Sequence, residues 1–363
     1  MNLLALIEAP NHVCYRYRLA AFADALAGRG WTLQALPLLT GQLQRAKHLR
    51  QAADADVVVL QRRLLPWWQL ALLRRHAKIL VYDCDDAVFL RDSNSPKEPL
   101  SRYRLAKFWA TIQMADALIV GNRYLENYAA QFVPQEKIHR VPTCINLQRY
   151  PMSDHPRPSG EARLVWIGSR ATLPSLRHVE DGLREAARRR PGIEFRVICD
   201  QFPRIPGIRT VNRLWSEPTE AMELSRADVG ISWLPEHPWS QGKCGLKVLQ
   251  YMAAGLPVVA NPFGMHRQLV QHGRTGFLAK TPGEFAQAVQ TLADDPPLRR
   301  RLGAAGRERV LKEFCADRWS RKFASTMENL FWSRNAFPAC DEHLLDPLSS
   351  AQHSAASSHI IGS

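Results

Sequence analysis

Short apolar runs alternate with stretches of helical periodicity almost from the first residue. LLALIEA precedes a helical pattern over 15–29, WTLQALPL precedes one over 41–52, and DVVVLQ one over 65–76. KILVYDC and ADALIVGN each lead into a further helical stretch. Apolar runs bounded by helices of this length predict parallel strands buried on both faces, so the first half is expected to be a doubly wound α/β domain.

The rhythm lapses in INLQRYPMSDHPRPSGE, where prolines, glycine and polar residues leave no periodicity, and this stretch is expected to be a linker. It then restarts with ARLVWIGS, a helix over 176–190, GIEFRVICD, a proline-broken segment to Asn212, a helix over 217–226 and ADVGISWLP. A helix over 243–254, the strand PVVAN and two or three helices between Pro282 and Trp332 complete a second doubly wound domain. The expected division is 1–155, 156–320, a crossover helix at 321–345 returning to the first domain, and a disordered Ser/Ala/His-rich tail at 346–363.

Composition narrows the function. The formal net charge is +14, shared about evenly between the two halves, which makes for a broadly positive surface suited to phosphorylated ligands or anionic membranes. No nucleic-acid-reading motif is present, and no nucleic-acid partner is expected. The seven cysteines lack C-x-x-C spacing, so neither a disulfide framework nor a zinc site is indicated and a reducing cytoplasm is expected. No run reaches the roughly 18 apolar residues needed to span a bilayer. MNLLALIEAP has no basic leader and reads as a first strand.

Candidate chemistry concentrates in SQGKCGLKVLQYMAAGLPVVANPFG, residues 240–264. A helix starting near Cys244 would present unpaired backbone N–H groups and the positive end of its dipole to an anion. Gly242 and Gly245 allow close approach, and Lys243 and Lys247 can add charge-assisted hydrogen bonds to a diphosphate. The plain alternative is solvated lysines and glycines that merely punctuate a loop. In open α/β sheets ligands bind beyond the carboxyl ends of strands, where this helix begins.

This segment, with HGRTGFLA after it, resembles the donor-binding signature of retaining GT-B glycosyltransferases of the family 4 kind. ADALIVGNRYLENYAAQF, KIHRVPTCINLQRYP and DDPPLRRRLGAAGRERVLKEF are similar to other parts of that family, so the likeness spans about 3–332. The resemblance implies two Rossmann-like domains facing across a cleft. A UDP- or GDP-linked sugar would be held by the second, with a glycan or lipid-linked acceptor on the first and no separate cofactor or metal. The work of such enzymes would be transfer with retention to an acceptor hydroxyl in polysaccharide, lipopolysaccharide or glycolipid synthesis. The family's Glu-x7-Glu pair aligns with Gly242 and Gln250; Gln250 can still hydrogen-bond a ribose. A non-catalytic nucleotide-sugar-binding relative or scaffold is the other reading.

The likeness also implies a role for Arg170 on phosphate; in DCDDAVF, Asp85 or Asp86 is expected to recognise an acceptor or sugar hydroxyl, with loop capping as the plain alternative. Gly168, Cys244 and Leu246 would line the donor site, with Asp200 and Trp215 near the base. Of Arg16 and Arg18, one is expected to reach phosphate and the other to be structural. Trp239 covers the sugar or plugs the cleft wall. Trp67 and Trp68, with Arg62, Arg63, Arg74 and Arg75 nearby, offer a peripheral contact with an anionic membrane.

Overall fold

The computed structural model describes residues 1–39 and 41–336; the stretch expected to form a disordered tail lies outside them. The first sheet is six-stranded and wholly parallel, in the order β2-β1-β3-β4-β5-β6. Its strands are Asn2–Ile7, Thr32–Pro37, Val57–Gln61, Leu80–Cys84, Ala117–Val120 and Ile138–Arg140. Every residue of β3, β4 and β5 is buried, as continuous apolar runs flanked by helices require. The expected helix over 15–29 is instead α1 (Val13–Arg18), a short 3-10 turn and α2 (Ala23–Ala27). The other helices of this half are α3 (Gln42–Arg50), α4 (Trp67–His76), α5 (Arg102–Met114) and α6 (Arg123–Ala129).

The second sheet is also parallel, in the order β12-β11-β10-β7-β8-β9. Its strands are β7 (Glu161–Ile167), β8 (Gly192–Cys199), β9 (Arg209–Leu214), β10 (Val229–Ser232), β11 (Val258–Ala260) and β12 (Gly276–Leu278). Its helices are α7 (Glu180–Arg189), α8 (Glu220–Ser225), α9 (Pro238–Gln241), α10 (Leu246–Ala253), α11 (Met265–Leu269), α12 (Pro282–Asp294) and α13 (Pro296–Glu313). The expected helix at 243–254 starts three residues later, because Gly245 takes the left-handed region (φ +72°) and sets the entry of α10.

The last described helix, α14 (Ala316–Ala336), begins five residues before the expected crossover. It packs on the first domain: Phe323 meets Phe22 at 5.2 Å between ring centroids, and Phe331 meets Trp31 edge-on at 5.9 Å. The chain therefore joins the domains twice. The outgoing and returning strands lie side by side, with Ile145 N–H donating to Phe314 O (2.9 Å) and Ala316 N–H to Ile145 O (3.0 Å). No helix among the described residues is long and apolar enough to cross a membrane.

Candidate functional site

The carboxyl ends of both sheets border one cavity of about 590 Å³, lined from the first domain by the turn into α1 and the loop after β4 and from the second by the loops after β7, β8 and β10. The three carboxylates at the carboxyl end of β4 have separate roles. Asp83 is buried and bound by Arg18, whose Nη2 is 2.6 Å and whose Nε is 3.0 Å from its oxygens, and by Gln61 Nε2 at 2.9 Å. Arg18 is therefore structural. Asp86 accepts from Arg62 Nη2 (2.8 Å) and, across the cleft, from Lys243 Nζ (3.0 Å). Asp85 lines the cavity and keeps one buried oxygen without a hydrogen-bond partner. Burial alone would raise its pKa, but the Arg62 and Arg18 guanidiniums hold the carboxyl below its ordinary range, so it is an ionised acceptor.

On the opposite wall, residues 242–244 are fastened to the first domain. Asn122 Nδ2 donates to Gly242 O (2.9 Å), and the Cys244 thiol to Asp85 O (3.1 Å). A Cβ at Gly242 would lie 2.4 Å from Ala87 N, so the position tolerates no side chain while the domains are in contact. A carboxylate side chain at 242 would therefore clash with Ala87 in this arrangement. Lys243 spans Asp86 and the Trp239 ring, its Nζ 3.7 Å from the ring centroid; Trp239 both lines the cavity and packs against the first domain's core.

Lys247, in the first turn of α10, is the cation nearest to being unpaired in the cavity. Its Nζ lies 3.2 Å from Thr172 Oγ1 and 4.1 Å from the Trp166 ring centroid, with no carboxylate partner. Burial, reinforced by Lys243, lowers its pKa to about 7. Gly168 belongs to the same wall: a Cβ there would strike the Trp166 ring at 2.4 Å. Leu246, Gly245 and Cys244 complete the approach to the helix start.

Gln250 is placed on the cavity wall, with its Nε2 donating to Tyr17 Oη (3.0 Å) and Tyr150 Oη (3.1 Å). Around it lies a buried cross-domain cluster. Arg16 Nη2 and Tyr17 Oη donate to Glu220 Oε1 at 2.6 and 2.7 Å, and Trp215 Nε1 donates to Glu220 Oε2 at 3.0 Å. Arg16 is thereby committed to Glu220 and Glu217, so each of the two arginines is paired with carboxylates. Arg170 is placed differently from expectation: only its backbone N–H is engaged, with Asp200 Oδ1 at 2.7 Å, while its side chain is exposed and absent from the cavity lining. Asp200 does line the cavity.

Two groups escaped sequence reasoning. Glu220 is one; its carboxylate is 203 and 204 residues from its partners in the other domain. The second is a buried chain at the ends of β10 and β11, in which Ser232 Oγ lies 2.9 Å from His266 Nε2 and His266 Nδ1 lies 3.1 Å from Asn261 Oδ1. Asn261 Nδ2 donates to Leu234 O, which fixes its amide and makes its Oδ1 the acceptor of the His266 Nδ1 proton. The Ser232 hydroxyl then donates to Nε2 and turns only lone pairs elsewhere. Burial pushes the His266 pKa down to about 3, so the ring stays neutral. The only hint in the sequence was that Ser232 ends an apolar strand. Among the described residues no three His, Cys, Asp or Glu side chains are grouped to hold a metal ion.

A cleft of this kind between two doubly wound domains defines the GT-B class, and comparison with solved structures agrees. Sucrose-phosphate synthase from Thermosynechococcus elongatus superposes with a TM-score of 0.72 at 18% identity, covering 92% of this chain and 100% of that one. Anabaena HepE, solved with UDP and glucose, gives 0.68 at 14% identity over 91% and 100%. Residues 177–325 match the family described as glycosyl transferase-like. Among curated relatives, alpha-maltose-1-phosphate synthase of Mycolicibacterium smegmatis is 26% identical over 257 residues, 60% of this chain and 63% of that protein. N-acetyl-alpha-D-glucosaminyl L-malate synthase of Bacillus anthracis is 35% identical over 91 residues, 24% and 23% of the two chains. The chain thus spans less than two thirds of the length of these curated relatives. The chain therefore has the GT-B fold, and its second domain resembles the glycosyl transferase-like family.

Proposed function

We propose that the protein transfers a sugar from a nucleoside diphosphate sugar to an acceptor hydroxyl, with retention, in the synthesis of a bacterial polysaccharide, lipopolysaccharide or glycolipid. The observation that carries this reading is Lys247: a cation without a carboxylate partner, held at the first turn of α10 inside a cavity shared by both domains. Free first-turn N–H groups, the helix dipole and Lys247 together favour a diphosphate, and they stabilise the charge that grows on it as the sugar departs. Lys243 joins them when a phosphate oxygen draws it from Asp86. Asp85, ionised and incompletely bonded, accepts from a sugar hydroxyl. Solved neighbours hold UDP with glucose, and UDP with N-acetylglucosamine, which supports a nucleotide-sugar donor.

A thermal-shift panel of UDP, GDP, ADP and their sugars tests the reading. At least one ligand is expected to raise the melting temperature in the manner of RT ln(1 + [L]/Kd), with sugar release or transfer on incubation. No shift with any member would refute it. A shift without turnover would instead favour the non-catalytic relative, for which the missing carboxylate at 242 is the specific argument. Lys243→Ala is expected to slow turnover on the order of a hundredfold with a much smaller change in nucleotide affinity. Single-turnover rates beside titration of the nucleotide check this.

A further inference from the structure

Helices α3, α4 and α5 pack side by side over one face of the first sheet. None of the three contains an acidic residue: they read QLQRAKHLR, WWQLALLRRH and RYRLAKFWATIQM. The chain has no Asp or Glu at all between Asp24 and Asp54, or between Asp56 and Asp83. Their inner positions, such as Leu49, Leu70, Leu73 and Phe108, fill the core, yet the outer surface is far from uniformly polar. Leu43 is 82% exposed, and Trp67, Trp68 and Trp109 are 48%, 47% and 47% exposed.

The first turns of α3 and α4 are tied together, because Gln69 Nε2 donates to Gln42 O at 3.4 Å and Arg45 Nη1 to Gln69 Oε1 at 3.3 Å. Leu43 and the Trp67–Trp68 pair therefore belong to one patch. Lys47, Arg50, Arg75 and Arg102 stand exposed on the same helices. A surface packed only for solubility mixes both signs of charge and hides large aromatics; three exposed tryptophans on helices that carry no acidic residue meet neither condition. Tryptophan at the headgroup level and cations facing anionic lipid are the two halves of interfacial binding.

We propose that this face docks the protein on an anionic bilayer, with Leu43, Trp67, Trp68 and Trp109 entering the headgroup region and the basic side chains meeting lipid phosphates. The loops that lead into α4 and α5 carry Arg62, Asp85 and Asp86 on the cavity wall, so docking brings the cleft to the membrane surface. A lipid-linked acceptor is the consequence, and that clause alone rests on the function proposed above.

The test is co-sedimentation of the full chain with vesicles of phosphatidylcholine alone and with about one third phosphatidylglycerol. Binding is expected on the anionic vesicles, weakening with salt. Trp67→Ala/Trp68→Ala/Trp109→Ala is expected to reduce it at least about tenfold, and Lys47→Glu/Arg50→Glu/Arg75→Glu by about fivefold or more per cation removed, with melting and nucleotide-induced shifts unchanged. Equal binding to neutral vesicles, or indifference to both variants, overturns the proposal. So does a dimer that the tryptophan variant dissolves in the absence of lipid, or capture by an oligonucleotide that outcompetes the vesicles. Nucleotide shifts in the panel above are independent of all these outcomes, so the two ideas fail separately.

Discussion

Lys247→Met is expected to make the protein more stable below neutral pH while slowing sugar transfer at least about a hundredfold. The two effects have one cause. Lysine keeps its proton to about pH 10.5 in the unfolded chain, but the cavity wall lowers the folded pKa to about 7. Below pH 7 the residue is charged in both states, and folding bears the full cost of enclosing the ammonium. Between about pH 7 and 10.5 the unfolded chain binds the extra proton, so the cost shrinks as pH rises. Methionine fills the same space over Trp166 without that cost, so the gain in melting temperature should be largest in acid and fade through the alkaline range. A diphosphate reverses the balance by restoring the charge. Nucleotide binding should therefore take up protons at pH 8 but not at pH 6, which titration calorimetry in buffers of differing ionisation enthalpy would read directly. A melting gain without lost turnover would remove Lys247 from the site.

Arg18→Ala carries the second large expectation, a loss of about 3–5 kcal/mol in urea unfolding. Asp83, in β4, is 1% exposed, and without the guanidinium it would remain a buried charge with only Gln61 to answer it. The double variant Arg18→Met/Asp83→Leu should recover much of the loss, because a buried pair replaced by apolar groups often costs little. If Arg18→Ala unfolds like the wild type, the ion pair is not the anchor of the strand ends described above.

How much of this could be read from the chain depended on how local the cause was. β3 and β4 announce themselves as VVVLQ and LVYDC because both of their faces are covered. β9, reading RTVNRL at the sheet edge with three of its last residues exposed, has no apolar alternation to detect, and β12 is only three residues long. The two-domain plan needed only such local signals. The site was legible where chemistry and backbone coincide, at Gly245, Leu246 and Lys247. It was illegible where partners come from elsewhere: D-C-D-D reads as one acidic bunch, and only packing divides it into an anchor, Asp83, a cross-domain partner, Asp86, and an available acceptor, Asp85. The engagement of Gln250 Nε2 could not be foreseen because Tyr17, 233 residues away, could not be placed beside it.

The return of α14 to the first domain has a consequence for how the molecule is made. Phe22 and Trp31 leave the ribosome about 300 residues before the rings that cover them, Phe323 and Phe331. The domain synthesised first must wait with part of its interior uncovered until the second has been synthesised and α14 has followed it.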